Sequence, residues 1–237
     1  MRYFDLHVHS AFSGGQSSIE QLSATAKELG YHGICFSEYF QGEQRLKGLK
    51  EEVARVGNKV GIEIHLGFEA RNAKELHRLV EMRRRFDMLL VHGGDLKLNR
   101  LACETSEVDI LTHPELGRSD SGLNHVLVKA AAKNNVAIEI NFREILLANK
   151  RSRSLVIKNI IRNISLAKKF HAPIIVCSGA ISHWELKSSE ILVSMANLLG
   201  LELKEAKECI SKVPEKIIRH GVERQTNKWV MPGVKIV

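Results

Sequence analysis

Two histidines one residue apart, His7 and His9, lie in the stretch Tyr3-Phe4-Asp5-Leu6-His7-Val8-His9-Ser10. The stretch reads as a strand of about seven residues. Side chains alternate across a strand, which predicts Asp5, His7 and His9 on one face and Leu6 and Val8 on the other. Residues two apart sit roughly 6.6 Å from each other, so two imidazoles can converge on one ion. A lone His-x-His is better explained by partly buried imidazoles bonded to backbone carbonyls. The pattern recurs, however. Glu38, Glu69, His92, His113, Glu139 with Asn141, and Ser178 each stand at or just after the end of an apolar run. If those runs are parallel strands of a barrel, their ends share one rim. Histidines and carboxylates converging there suit zinc, manganese or iron, with metal-activated water as the hydrolytic nucleophile.

The elements that would position these residues alternate regularly. Strands are expected at 32–39, 60–70, 88–91, 108–112, 136–142 and 172–177 after the opening one. Helices are expected at 43–56, 72–84, 122–134 and 153–170, with a short helical piece near 98–103. The first helix is predicted to open on a capping box, Ser17 with Glu20, and to stop at Gly30. Further helices, at about 186–199, 202–212 and 214–224, precede a tail with Trp229 and Pro232. Seven βα repeats imply a parallel sheet, and runs such as MLLV and IIVC fit strands covered on both faces. The expected fold is a TIM-like parallel β/α barrel in a single domain over 1–237. Its barrel covers about 1–199, and helices and tail fill about 200–237. No Gly-x-Gly-x-x-Gly follows the first strand, which argues against a dinucleotide-binding fold.

Among 237 residues, 44% are hydrophobic and 26% charged, as in an ordinary soluble protein with a full core. No apolar stretch reaches the ~18 residues of a membrane span, and Asp5, His7 and His9 interrupt any leader-like segment. The four cysteines, Cys35, Cys103, Cys177 and Cys209, are widely spaced. They read as buried free thiols in a reducing, cytoplasmic setting, and a cysteine-based zinc site is not expected. A net charge of +8 and a pI near 9.4 point to a polyanionic partner.

DLHVHS at the start, GFEAR at 67–71, VH at 91–92, THP at 112–114 and EIN at 139–141 resemble the polymerase-and-histidinol-phosphatase (PHP) domain, a distorted seven-stranded barrel with a multi-metal phosphoesterase centre. The resemblance covers roughly residues 1–180. It places His7, His9, Glu69, His92 and His113 at ligand positions. Two departures stand out. Glu38-Tyr39 occupies the place of an Asp-His pair, and Ser178-Gly179-Ala180-Ile181 the place of an Asp-x-His motif. Gly and Ile cannot ligate through a side chain. A degenerate PHP-like barrel with FSEY and CSGA at those points, this length and this pI resembles the ribonuclease P protein component 3 family.

That resemblance implies a subunit without an active site of its own, supporting a catalytic RNA in removing 5′ leaders from precursor tRNA. Its partners would be the ribonuclease P RNA, precursor tRNA, protein component 2 and the other ribonuclease P proteins. It implies Mg for the RNA and no cofactor required by the subunit. A residual Zn or Mn at the histidine rim stays open. Candidate phosphate contacts are Arg83, Arg84 and Arg85; Lys150, Arg151 and Arg153; Lys158, Arg162, Lys168 and Lys169; and Lys212, Lys216 and Arg219. Aromatics are only 5%, which favours backbone over base recognition. Two other readings remain. In one, a PHP-type phosphoesterase uses those metal ligands, with Glu38 bridging or acting as base. In the other, a protein-docking module uses the C-terminal helices and Trp229.

Overall fold

The computed structural model describes residues 1–227, 229–231 and 234–235. Seven parallel strands run in chain order around one sheet: β1 (Phe4–Val8), β2 (Gly33–Glu38), β3 (Glu63–Ala70), β4 (Met88–His92), β5 (Ile110–Thr112), β6 (Ala137–Asn141) and β7 (Ile174–Cys177). Between them lie α1 (Ile19–Glu28), α2 (Glu43–Val60), α3 (Ala73–Glu81), α4 (Leu96–Glu104), α5 (His125–Asn134), α6 (Phe142–Leu147) and α7 (Lys150–Phe170). The sheet curls until the loop after β7 meets β1, where His9 N–H donates to the Ala180 carbonyl at 2.9 Å. The barrel is thus nearly closed, as expected.

An inner cluster of Phe4, Leu6, Cys35, Met88, Leu90, Ile110, Ala137, Ile175 and Cys177 fills the barrel. The outer strand faces pack against the surrounding helices. Three helices complete the chain: α8 (Ser189–Leu198), α9 (Leu203–Cys209) and α10 (Lys212–Arg224). Ile217 and Ile218 of α10 join the inner cluster, so this helix plugs the end of the barrel opposite the strand C-termini. A Cβ on Gly221 would lie 2.1 Å from the Asp87 carbonyl, so only glycine allows that approach. A buried ion cluster holds the plug. Asp109 accepts from Arg83 Nη2 at 2.5 Å, from Arg224 Nη1 at 2.8 Å and from Leu89 N–H at 2.8 Å.

Several details differ from the sequence reading. The first helix is capped by Ser18 with Gln21. The Ser17 hydroxyl instead pairs with His183 Nδ1 at 2.8 Å. The pairing register shifts between Asp5 and Val8, which breaks the simple alternation of β1. Leu6 packs inward and Val8 outward, so they do not share a face. The long basic helix begins three residues earlier than predicted, behind the unpredicted α6. A strand pair, Trp229–Met231 with Val234–Lys235, lies in the tail, and Pro232 is outside the described residues. All four cysteines are buried and free. No helix among the described residues is long and apolar enough to cross a membrane.

Candidate functional site

The C-terminal ends of β1, β3, β4, β5 and β6 converge on one carboxylate, Glu69, itself fully buried at the end of β3. Four imidazoles surround it. His92 Nδ1 lies 3.5 Å and His9 Nε2 3.6 Å from Oε2. His7 Nε2 lies 3.7 Å and His113 Nε2 3.9 Å from Oε1. Thr112 donates its hydroxyl to Oε1 at 2.7 Å. The register shift in β1 lets His7 and His9 both reach this centre, with their Nε2 atoms 3.2 Å apart. Asp5 leaves that face: its carboxylate accepts from the backbone N–H groups of His7 and Ser178.

Glu139 completes the set. It pairs with His7 Nδ1 at 2.6 Å and accepts His113 N–H at 3.0 Å. That bond helps hold His113 at φ +28°, a conformation few non-glycine residues adopt. The sequence flagged Glu139 only as a polar strand-end residue. Its EIN context was the available signal, and its spacing from the histidines becomes visible only in the fold.

Burial works against charge on His7, yet Glu139, then Glu69 and Asp5, outweigh it and push its pKa up to about 9. Burial, together with the neighbouring charge on His7, drops His9 to about 4. Burial likewise takes His113 to about 4. A charged His7 donates to Glu139 from one nitrogen and to neutral His9 from the other. Burial pushes Glu69 up, but the ring of imidazoles holds it well below the usual carboxylate range.

Overlapping groups among these residues could each supply three ligand atoms to a divalent ion. Three groups, His7–His9–Glu69, Glu69–His92–His113 and His7–His113–Glu139, each bring three ligand atoms within 4.8 Å of one another. Glu69 Oε2, His9 Nδ1, His92 Nδ1 and His113 Nδ1 are buried without a hydrogen-bond partner. Two other positions at the rim, Glu38 and the start of the loop after β7, add no ligand to these groups among the described residues. Glu38 is engaged elsewhere, accepting from Ser10 N–H at 3.1 Å and from the hydroxyls of Ser10 and Ser13. It ties down the loop after β1. Tyr39 stacks between His9, 5.1 Å away, and the Arg71 guanidinium, 4.3 Å above its ring. After β7, the Ser178 hydroxyl accepts from Ala180 N–H, and Gly179 adopts φ +66° against the Asn141 amide. Residues 178–181 offer no carboxylate or imidazole, and the two farther along the loop are engaged, His183 with the Ser17 hydroxyl at 2.8 Å and Glu185 with Arg143 at 3.0 Å.

A scan against family models matches residues 2–226 to "RNase P subunit p30". The chain belongs to the ribonuclease P subunit p30 family. Ribonuclease P protein component 3 of Methanosarcina mazei is 36% identical over 99% of this chain and 95% of its own. That of Methanosarcina acetivorans is 38% identical over 100% and 96%. A chain in a cryo-EM structure of archaeal ribonuclease P with mature tRNA superposes with TM-score 0.82 at 29% identity, over 98% of both chains. A protein assigned as a histidinol phosphatase in Listeria monocytogenes shares the fold alone, with TM-score 0.57 at 12% identity over 77% of this chain and 97% of that one.

The basic residues proposed to meet RNA fall into two groups. Arg83 is turned inward and corrects the expectation: it is 5% exposed, bonded to Asp109 and to the carbonyls of Phe86, Asp87 and Glu107. Arg84 donates to the Trp229 carbonyl at 2.8 Å. Arg85 pairs with Glu43 at 2.6 Å, Lys168 with Glu205 at 2.6 Å and Lys212 with Glu208 at 2.8 Å. Arg153 caps α6, donating to the carbonyls of Ile145, Leu146 and Ala148. Lys150, Arg151, Lys158, Arg162, Lys216 and Arg219 are exposed and make no side-chain hydrogen bond or ion pair among the described residues. Trp229 is buried against His220 and Arg224, so it covers the barrel plug and offers no docking surface.

Proposed function

We propose that this chain acts as the component 3 subunit of a ribonuclease P, supporting a catalytic RNA in endonucleolytic removal of 5′ leaders from precursor tRNA. The full-length match to component 3 proteins carries the reading. The site supports it, because the loops after β2 and β7 have lost the groups a multi-metal phosphoesterase needs. The partners are the ribonuclease P RNA, precursor tRNA and protein component 2. His7, His9, Glu69, His92 and His113, with Glu139 behind His7, would hold a single Zn or Mn ion. When bound, that ion would tie four strand ends together directly, and the end of β6 through Glu139 on His7.

The test is purification of the tagged chain from its own cells, sequencing of the RNA that accompanies it, and assay of leader removal. One abundant structured RNA, with leader cleavage abolished by nuclease pretreatment, is the expected result. An RNA-free protein that turns over a small phosphate ester would overturn the reading.

A further inference from the structure

The chain's surplus positive charge is concentrated on two adjoining helices. The α7 sequence, KRSRSLVIKNIIRNISLAKKF, holds seven Lys and Arg and no Asp or Glu in 21 residues. The adjoining α5, HVLVKAAAKN, adds Lys129 and Lys133, again without a carboxylate. The two helices therefore carry +9 by side-chain count, against +8 for the whole chain. The rest of the molecule is close to neutral. Helices elsewhere mix signs: α2 carries Glu43, Glu51 and Glu52 among its cations, and α10 carries Glu215 and Glu223.

The arrangement along α7 is linear. At 100° per residue, positions 151, 158, 162 and 169 fall within an arc of about 40°, and at 1.5 Å per residue they span about 27 Å. Arg151, Lys158, Arg162 and Lys169 are thus one row on the exposed side of the helix. Arg151, Lys158 and Arg162 have no hydrogen-bond or ion-pair partner among the described residues, while Lys169 lies over the Phe170 ring, 5.6 Å from its centre. Lys129 of α5 approaches the same ring at 5.1 Å, which joins the two helices into one surface. Lys158 and Arg162 overhang a cleft of about 380 Å³ whose other wall is the loop after β5. The acid on that wall, Asp120, is held by both arms of Arg118, at 2.7 and 3.0 Å, and lies within the field of Arg162 as well.

Two features argue against a merely solvated helix face. Lys150 and Arg151 sit in the first turn of α7, where the helix dipole disfavours cations and no acid offsets them. Loose solubility charge would also be interspersed with acids, as it is on α2.

We infer that the α5–α7 face is the surface that grips RNA, with the row on α7 tracking the phosphate backbone and the cleft beneath Lys158 and Arg162 seating one phosphate. A rigid row of this length matches a continuous polyanion better than a small anion. No aromatic stands within the row to stack a base, so the ligand is structured RNA read by its backbone. The inference rests on the component 3 reading and selects one face among the four basic patches of the sequence.

The test compares binding of the complex's RNA subunit by the full chain and two variants over a salt series. One combines Arg151→Ala, Lys158→Ala, Arg162→Ala and Lys169→Ala; the control combines Lys216→Ala and Arg219→Ala on α10. The stripe variant is expected to keep its melting temperature and to flatten the slope of log K against log salt by about three to four, about one per lost phosphate contact. The control is expected to keep the wild-type slope. A stripe variant with an unchanged slope, or equal losses in both variants, overturns the assignment. The double variant Lys158→Gln, Arg162→Gln, expected to flatten the slope by about two, decides the matter if the fourfold variant unfolds. Wild-type protein that neither binds this RNA nor supports leader removal would overturn the component 3 reading, and the assigned face with it.

Discussion

Replacing Asp109 with alanine should loosen the barrel plug more than any other single change among the charged residues. One carboxylate, 4% exposed, serves two guanidiniums that are 5% and 4% exposed. Removing one partner of a buried pair costs about 3–5 kcal/mol, because the remaining charge is left without compensation. Here two charges lose their partner, and the Leu89 N–H loses an acceptor worth about 1 kcal/mol more. The expected loss is therefore about 4–6 kcal/mol, a large part of the roughly 5–15 kcal/mol that stabilises a domain. Arg224→Ala leaves the Arg83–Asp109 pair intact and should cost clearly less. Urea unfolding followed by circular dichroism measures both, and hydrogen exchange over 212–224 reports whether α10 detaches first. An Asp109→Ala variant within about 1 kcal/mol of wild type would refute the argument that this cluster holds the plug. Arg83→Ala carries a matching expectation: it should lower stability and leave the salt slope of RNA binding unchanged.

Three further outcomes are expected. His65 is held below its ordinary 6.5, chiefly by burial and against the pull of Asp87 and Glu63. The unfolded chain then takes up that proton first, so stability is complete above about 6.5 and falls as pH drops toward the folded value. His65→Gln should flatten that acid limb in a melting-temperature series. Gly179→Ala should cost at least about 1–2 kcal/mol, since a Cβ there would lie 2.5 Å from the Asn141 amide at φ +66°. A thermal shift no larger than that of a surface substitution would count against it. Calorimetric titration of the apo chain with zinc or manganese should give one equivalent, lost on Glu69→Gln; two equivalents would contradict the single-ion reading.

Much of this was legible in the sequence because it depends on order along the chain. Alternating apolar runs and amphipathic helices dictate the parallel barrel, and a barrel brings strand ends to one rim. His7, His9, Glu69, His92 and His113 could therefore be placed together without coordinates. What depends on rotation about an element was not legible. The register shift in β1 carries Asp5 away from the two histidines, and nothing in DLHVHS announces it. Three consecutive arginines gave no sign that Arg83 turns inward while Arg84 and Arg85 stay exposed, because that is decided by Asp109 from a distant strand. Arg153 looks like a phosphate ligand in the sequence because nothing there announces α6, whose carbonyls it caps.

The same geometry is compatible with the RNA-binding role proposed for the flank of the barrel. Histidines remain at the rim because Glu69 and Glu139 are buried, and a buried carboxylate needs a cation or a donor beside it. Losing that shell would cost stability whether or not chemistry takes place there. Glu38 and the loop after β7 are under no such constraint once they bond to their own loops, and those are the places where ligand groups are missing. Surface helices are freer still. A substitution on the outer side of α7 disturbs no core contact, so carboxylates can be dropped and lysine or arginine retained at little cost to folding. The rim and the flank proposed to meet RNA are thus free to vary independently while the strand order and inner core stay as they are.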